Sequence, residues 1–389
     1  MPEEAHLTNA QLHHDEITGI RLSHLLVPIA KPVSDAKVAT GLQSPLGAVD
    51  LLLVEIASNG GHVGFGFSYT LRAGGTALMA LAREIAPLLE GQDPNRISWL
   101  WSLLAWRTNS LGEGGAAAQC IAAFDAALWD MKAKRANLPL AHLLGARREA
   151  VPVYNTSGQY LQATIPEMRE GAEAAIESGI GGIKMKVGQP DAAEDMRRIA
   201  ALRDITEGRA ALMIDANQQW SRSAAGSFCR AVDDFGLTFI EEPLAARDHE
   251  GHGALAAKLV TPVATGEMLT SVAEHRALIS AGGAGFCQVD APRIGGITPF
   301  LKVMAMAEEA RIGLAPHFVM EQHIQLAAAF DGPVWVEHFD WFEPLFEERL
   351  EIRDGQMWLP RRPGFGLTLS DAARRMAQDD VTLGRMPDA

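Results

Sequence analysis

Two lysines two residues apart, Lys184 and Lys186, open a series of ionisable residues. It continues with Asp215, Glu241, Glu267, Asp290, His317 and Glu337, at spacings of roughly 20–30 residues, the length of one strand-plus-helix unit. A single strand-end carboxylate commonly caps the next helix, and a single histidine is usually structural. A series repeating at one period is better explained if its members ring one mouth. Asp215, Glu241 and Glu267 would then share a poorly solvated site, where three carboxylates cannot all stay ionised without a cation. Oxygen ligands without Cys or His favour a hard ion, Mg²⁺ ahead of Mn²⁺ or Zn²⁺. Lys184 and Lys186, two apart on a strand, face the same side. Their mutual repulsion, with the metal, would leave Lys186 neutral near pH 7 and able to act as a general base. Asp290 and His317 suit a dyad in which the carboxylate orients the imidazole. Two bases approaching a central ligand from opposite faces is the layout for removing a proton α to a carboxylate. Glu337 would donate a hydrogen bond to a developing enolate oxygen if its pKa is raised.

The elements that must position these residues read as a barrel. Short apolar strands are expected at 151–154, 182–186, 211–215, 238–241, 263–267, 285–290, 313–315 and 334–337, with helical patterns between most of them. This spacing predicts an α/β fold with a (β/α)₈-type barrel over residues 146–365. No GxGxxG follows the first strand, which argues against an open dinucleotide-binding sheet. Residues 1–145 read as an α+β domain, with strands at 49–57 and 62–69 and helices at 76–89 and 116–134. Asp354-Gly355 between two alternating stretches is a hairpin signal. The last segment, 366–389, is expected to pack back on the first domain and complete it.

Composition narrows the partners. The 389 residues carry a net charge of −14, which disfavours nucleic acid and anionic membranes. No stretch has the length and apolarity of a membrane span, and the first twenty residues lack the apolar core of a signal peptide. Cys120, Cys229 and Cys287 form no disulfide framework or CxxC pair. A soluble cytoplasmic protein is expected. The tract 248–252 (DHEGH) lacks HExxH spacing and reads as a solvated βα loop.

In order along the chain, KMKVG, MIDANQQW, IEEPL, ATGEML, VDAPRIGGI and APH resemble the enolase superfamily, mandelate racemase subgroup. The stretch 126–146 is similar to that superfamily's junction between capping domain and barrel, so the resemblance covers nearly the whole chain. It implies Mg²⁺ held by Asp215, Glu241 and Glu267, and acid/base roles for Lys186 and His317. Lys184, Asp290 and Glu337 would support them. The DAPR sequence, without a lysine near Asp290, departs from the cycloisomerase type. Glu267, in place of asparagine, departs from the glucarate dehydratase type.

The shared step implied by the resemblance is proton abstraction from an α-hydroxy acid to an enediolate. That step alone gives racemisation or epimerisation, and loss of a β-hydroxyl gives a 2-keto acid. Fold does not choose between these outcomes. The segments PVSDAKV, GFSYTLRAGG, YNTSGQYL and APHFVMEQH resemble members that dehydrate six-carbon aldarates, with possible epimerisation beside it. A racemase, a dehydratase of a shorter diacid such as tartrate, and a binding protein that has lost its chemistry stand as alternatives. Lys37 and Arg72 are the expected partners of a distal carboxylate. Tyr154 and Asn217 are further expected substrate contacts. The implied assembly is a homo-oligomer.

Overall fold

The computed structural model describes residues 15–34, 38, 41, 43–156 and 158–387. The N-terminal part builds an antiparallel sheet from β1 (Ile17–Val33), β2 (Leu46–Ser58) and β3 (Val63–Leu71). The continuous apolar run of β2 suits its central place, buried on both faces. Three helices follow: α1 (Gly75–Ile85), α2 (Ile97–Arg107) and α3 (Gly115–Arg135). α3 is apolar nearly all round because it lies between the sheet and the barrel. It approaches β3 at two glycines. A Cβ on Gly64 would sit 2.1 Å from the Ala127 carbonyl oxygen, and one on Gly66 would sit 2.3 Å from the Ala127 nitrogen.

Eight parallel strands come next: β4 (Ala150–Asn155), β5 (Gly182–Lys186), β6 (Ala211–Asp215), β7 (Phe239–Glu241), β8 (Val263–Thr265), β9 (Phe286–Cys287), β10 (Gly313–Leu314) and β11 (Val336–His338). They pair in chain order, β11 returns beside β4, and a Leu314–Val334 bridge joins β10 to the approach of β11. Helices connect each strand to the next, but a 3₁₀ segment (Asp340–Leu345) takes the place of a barrel helix after β11. The fold is the expected barrel with its capping unit, modified at this last step.

The hairpin of β12 (Ile352–Arg353) and β13 (Gln356–Trp358) turns at Asp354 and Gly355, both at positive φ, as a type I′ turn requires. Phe346 and Phe365 then stack on Phe65 of the cap. Finally β14 (Ala377–Gly384) pairs antiparallel with β1, so the capping sheet runs β14-β1-β2-β3.

Two expectations need correction. The tract from Asp248 is a helix, His249–Ala256, with the Asp248 side chain accepting from the Gly251 amide and His252 fully buried. β8 and β9 stop short of the expected ends at 267 and 290, so Glu267 and Asp290 lie beyond them, and His317 lies beyond β10 as it lay beyond the expected strand 313–315.

Candidate active site

Strand register places the first half of the site. Lys186 pairs with Asp215 and Asp215 with Glu241, so three ionisable side chains stand side by side on β5, β6 and β7. The Lys186 ammonium donates to Asp215 Oδ2. Lys184 is 1% exposed and donates to Glu241 at 2.8 and 3.0 Å and to Glu337 at 2.7 Å. Beyond β6 the chain turns left-handed at Asn217, whose amide donates back to Asp215 Oδ1 at 2.8 Å. Its side-chain amide donates to Oδ2 at 3.3 Å. Asparagine tolerates that conformation better than most residues.

The second half comes from loops. Asp290 caps the short helix Ala291–Ile294 with Oδ1, which accepts from the Arg293 amide at 2.9 Å. Its Oδ2 lies 2.7 Å from His317 Nδ1, so the bland role and the dyad occupy different oxygens of one carboxylate. Burial raises the Asp290 pKa, but the His317 hydrogen bond and Arg293 outweigh it and hold it at about 2. Glu267 lies 3.3 Å from His317 Nε2 and 3.4 Å from the Arg293 guanidinium.

Around the ring, β5 and β10 are three strand steps apart one way and five the other, so Lys186 and His317 stand across the mouth. Both line a cavity of about 540 Å³, together with Asn217, Glu267, Arg293 and, from the cap, Arg72. Arg72 Nε donates to the Ser44 carbonyl at 3.3 Å. Lys37 lies outside the described residues.

Two expected roles do not match the structure. Tyr154 is core: its register is with Gly182, below Lys184, its ring packs 5.8 Å from Phe239, and its hydroxyl is buried without a hydrogen-bond partner. Glu337 is an acceptor and not a donor. Its Oε1 takes Lys184 and the Thr156 hydroxyl (3.1 Å), and its Oε2 takes the Phe318 amide (3.0 Å). Burial raises its pKa, but Lys184 and His317 lower it further, and the net shift is downward. Burial and the Lys184 charge disfavour the charge on Lys186, but Asp215 and Glu241 together outweigh them, and the pKa is raised.

The acids face cations of the chain itself. Among the described residues, no three Asp, Glu, His or Cys side chains stand ready-formed around one metal position. The donor set nonetheless suits a hard cation. Burial and then Asp215 push Glu241 well above the usual carboxylate range, and burial, Glu267 and Asp215 do the same to Glu242. Glu242 is fully buried, and its Oε1 has no hydrogen-bond partner. Oxygen donors that repel one another in a buried site are relieved by a small divalent ion.

Tyr69, Arg293 and Thr156 were not singled out by residue type and spacing. Tyr69 Oη donates to Asp290 Oδ2 at 2.6 Å from β3 of the cap. The sequence signal for Tyr69 was its place in GFSYTLRAGG, which carried a resemblance but no link to Asp290.

A barrel whose strand ends carry paired lysines, three buried acids and an Asp–His dyad, closed by an α+β cap, is an enzyme built to remove a proton beside a carboxylate. The chain belongs to the mandelate racemase/muconate lactonizing enzyme family of the enolase superfamily. Residues 28–145 match the N-terminal domain of that family, and residues 167–373 match the enolase C-terminal domain-like family. It is 52% identical over 373 residues to L-talarate/galactarate dehydratase of Salmonella typhimurium LT2, covering 96% of this chain and 94% of that protein. The crystal structure of L-talarate dehydratase from Polaromonas sp. JS666, complexed with Mg and L-glucarate, superposes with a TM-score of 0.94 at 54% identity. That match covers 96% of this chain and 100% of the other. The Salmonella enzyme liganded with Mg and L-lyxarohydroxamate gives 0.95 at 50% identity, covering 100% of this chain and 99% of that one.

Proposed function

We propose that this chain is a Mg²⁺-dependent acid-sugar dehydratase acting on L-talarate and galactarate, with epimerisation at the α-carbon as a side activity. The observation that carries this is the placement of Lys186 and the Asp290–His317 pair across one cavity from each other, with three buried acids between. The 52% identity to L-talarate/galactarate dehydratase supports the substrate class.

Asp215, Glu241 and Glu267 would hold the ion. When bound, it supplies positive charge that neutralises these acids, weakens the hold of Asp215 on Lys186, and acidifies the carbon beside the substrate carboxylate. Lys186 or His317 takes the α-proton, according to the face it occupies. The other gives its proton to the β-hydroxyl, the β-carbon–oxygen bond breaks, and water leaves. The enol left behind rearranges to a 5-keto-4-deoxyaldarate. Asp290 fixes the imidazole tautomer, while Lys184 bridges Glu241 and Glu337 as a buried positive charge. Arg72 is the described cap residue suited to the distal carboxylate. The presence of a base on each side favours epimerisation as the second reading.

No described helix is long and apolar enough to cross a membrane. The three cysteines are buried and unpaired, which supports a reducing, cytoplasmic setting. Exposed Trp99, Trp106 and Leu111 support a homo-oligomer. The test is incubation with Mg²⁺ and galactarate or L-talarate, followed by NMR. A keto-deoxy acid is the expected product. The absence of keto acid from every aldarate tried would overturn the reading.

A further inference from the structure

We propose that Tyr69, a residue of the capping sheet, is the positioning residue for the Asp290–His317 pair, acting through Asp290 Oδ2 to aim the imidazole at the substrate. This rests on His317 being one of the two bases.

Tyr69 lies near the end of β3, 1% exposed, where the capping sheet meets the barrel mouth. Its hydroxyl donates to Asp290 Oδ2 at 2.6 Å and stands 3.3 Å from His317 Nδ1, while Nδ1 itself lies 2.7 Å from the same oxygen. Oδ2 therefore takes two donors from two different units of the fold. Oδ1 is already held by the Arg293 amide at 2.9 Å. With both oxygens tied, the carboxylate cannot rotate, and the plane of the imidazole is set by it. The phenol ring is itself fixed, edge-on to Phe318 with centroids 4.8 Å apart, and the Arg293 guanidinium lies 5.8 Å from its centre. Burial raises the phenol pKa despite Arg293, so the hydroxyl keeps the proton it donates. Lys186 instead donates to Asp215, on the far side of the cavity. The Tyr69 effect should therefore fall on one face of the substrate.

Tyr69→Phe tests this, because it removes one hydroxyl and keeps the ring packing. Deuterium uptake at the α-carbon is followed by NMR in D₂O for two aldarates epimeric at that carbon. Lys186→Ala and His317→Asn assign a base to each face. In Tyr69→Phe, exchange on the His317 face should fall roughly 10-fold or more, the scale of one hydrogen bond to a charged acceptor. Exchange on the Lys186 face should stay within about two-fold. A second readout needs neither substrate nor metal: the low-field proton of His317 Nδ1–H should shift when Oδ2 passes from two donors to one. In an Asp290→Asn background, Tyr69→Phe should cost nothing further, since the two act as one unit. Equal loss on both faces, no loss on either, or an unmoved Nδ1–H resonance would each overturn the proposal. If instead His317→Asn leaves both faces intact, it is the assignment of the base that fails, and the Nδ1–H resonance still decides whether Tyr69 holds the dyad.

Discussion

Asp125 is a junction between the cap and the barrel. It lies on α3, 1% exposed, and accepts from the Thr298 amide at 2.8 Å and the Thr298 hydroxyl at 2.6 Å. Thr298 is in the first turn of barrel helix Ile297–Glu309, so a carboxylate there meets the positive end of a helix. Burial still dominates: it raises the Asp125 pKa from 3.8 to about 7, with the Thr298 bonds offsetting only part. A carboxyl whose folded pKa is raised contributes stability that is full below the unfolded value and is lost as pH rises through the folded one. Between about pH 4 and 7 the unfolded chain releases this proton while the folded chain keeps it. Stability then falls by up to ~1.4 kcal/mol per pH unit, about 4 kcal/mol in all, and levels off above pH 7. Asp125→Asn removes the titration and keeps the shape. Urea unfolding of both proteins at steps between about pH 4.5 and 8 isolates the contribution of Asp125. The variant should gain on the wild type as pH rises and then hold a constant difference above about pH 7. A difference that is flat across the range would refute the reasoning.

Lys186→Ala and His317→Asn should each abolish dehydration while leaving α-proton exchange on one face, read by NMR in D₂O; both staying near wild type would show the bases are misassigned. Chelation should remove activity and lower the melting temperature, and added Mg²⁺ should restore both; activity unchanged after exhaustive chelation would count against the metal. Gly66→Ala places a methyl 2.3 Å from the Ala127 nitrogen and should cost several kcal/mol, on the scale of ~1–3 kcal/mol or more for overpacking, in urea unfolding. Arg72→Ala should raise KM for a diacid far more than for a substrate without the distal carboxylate; equal effects on both would remove it from that role.

The chemistry was more legible in the sequence than the scaffold. The groups at the mouth repeat at the period of the strand-plus-helix unit, and register on β5 to β7 carries that period directly into space. The expected strands ending at Glu267 and Asp290 run past the ladders because the chain stays buried after the pairing stops. β1 went unread because residues 22–25 are buried in succession and the exposed Leu26, between Leu25 and Val27, hides the alternation that burial follows from Leu25 to Ala30. β14 went unread for the opposite reason: at the sheet edge, AQDDVTLG is polar enough to resemble a loop. In the 248–252 tract, Asp248 three residues before Gly251 is a helix-capping signal, masked by the density of His, Asp and Glu around it. Tyr154 was misjudged by one layer, since two residues along a strand separate a mouth-facing side chain from one packed in the core.

Tyr69 and Asp125 were beyond any local reading, because their partners lie 221 and 173 residues away. They share a physical logic. Each is a polar cap residue, buried against the barrel and satisfied only by a barrel group. An unsatisfied buried polar group costs about 1–3 kcal/mol, so neither side of the junction is complete without the other. If Tyr69 acts as proposed, the cap holds the carboxylate that aims one base, while Lys186 is held by Asp215 of the barrel alone. The cap would then contribute more than the distal contact proposed for Arg72. A mutation that loosened the cap on the barrel should weaken chemistry on the His317 face before it weakens chemistry on the Lys186 face. Loss of dehydration with exchange surviving on the lysine side would be the mark of a failing junction, distinct from a failing metal site, which would silence both faces together.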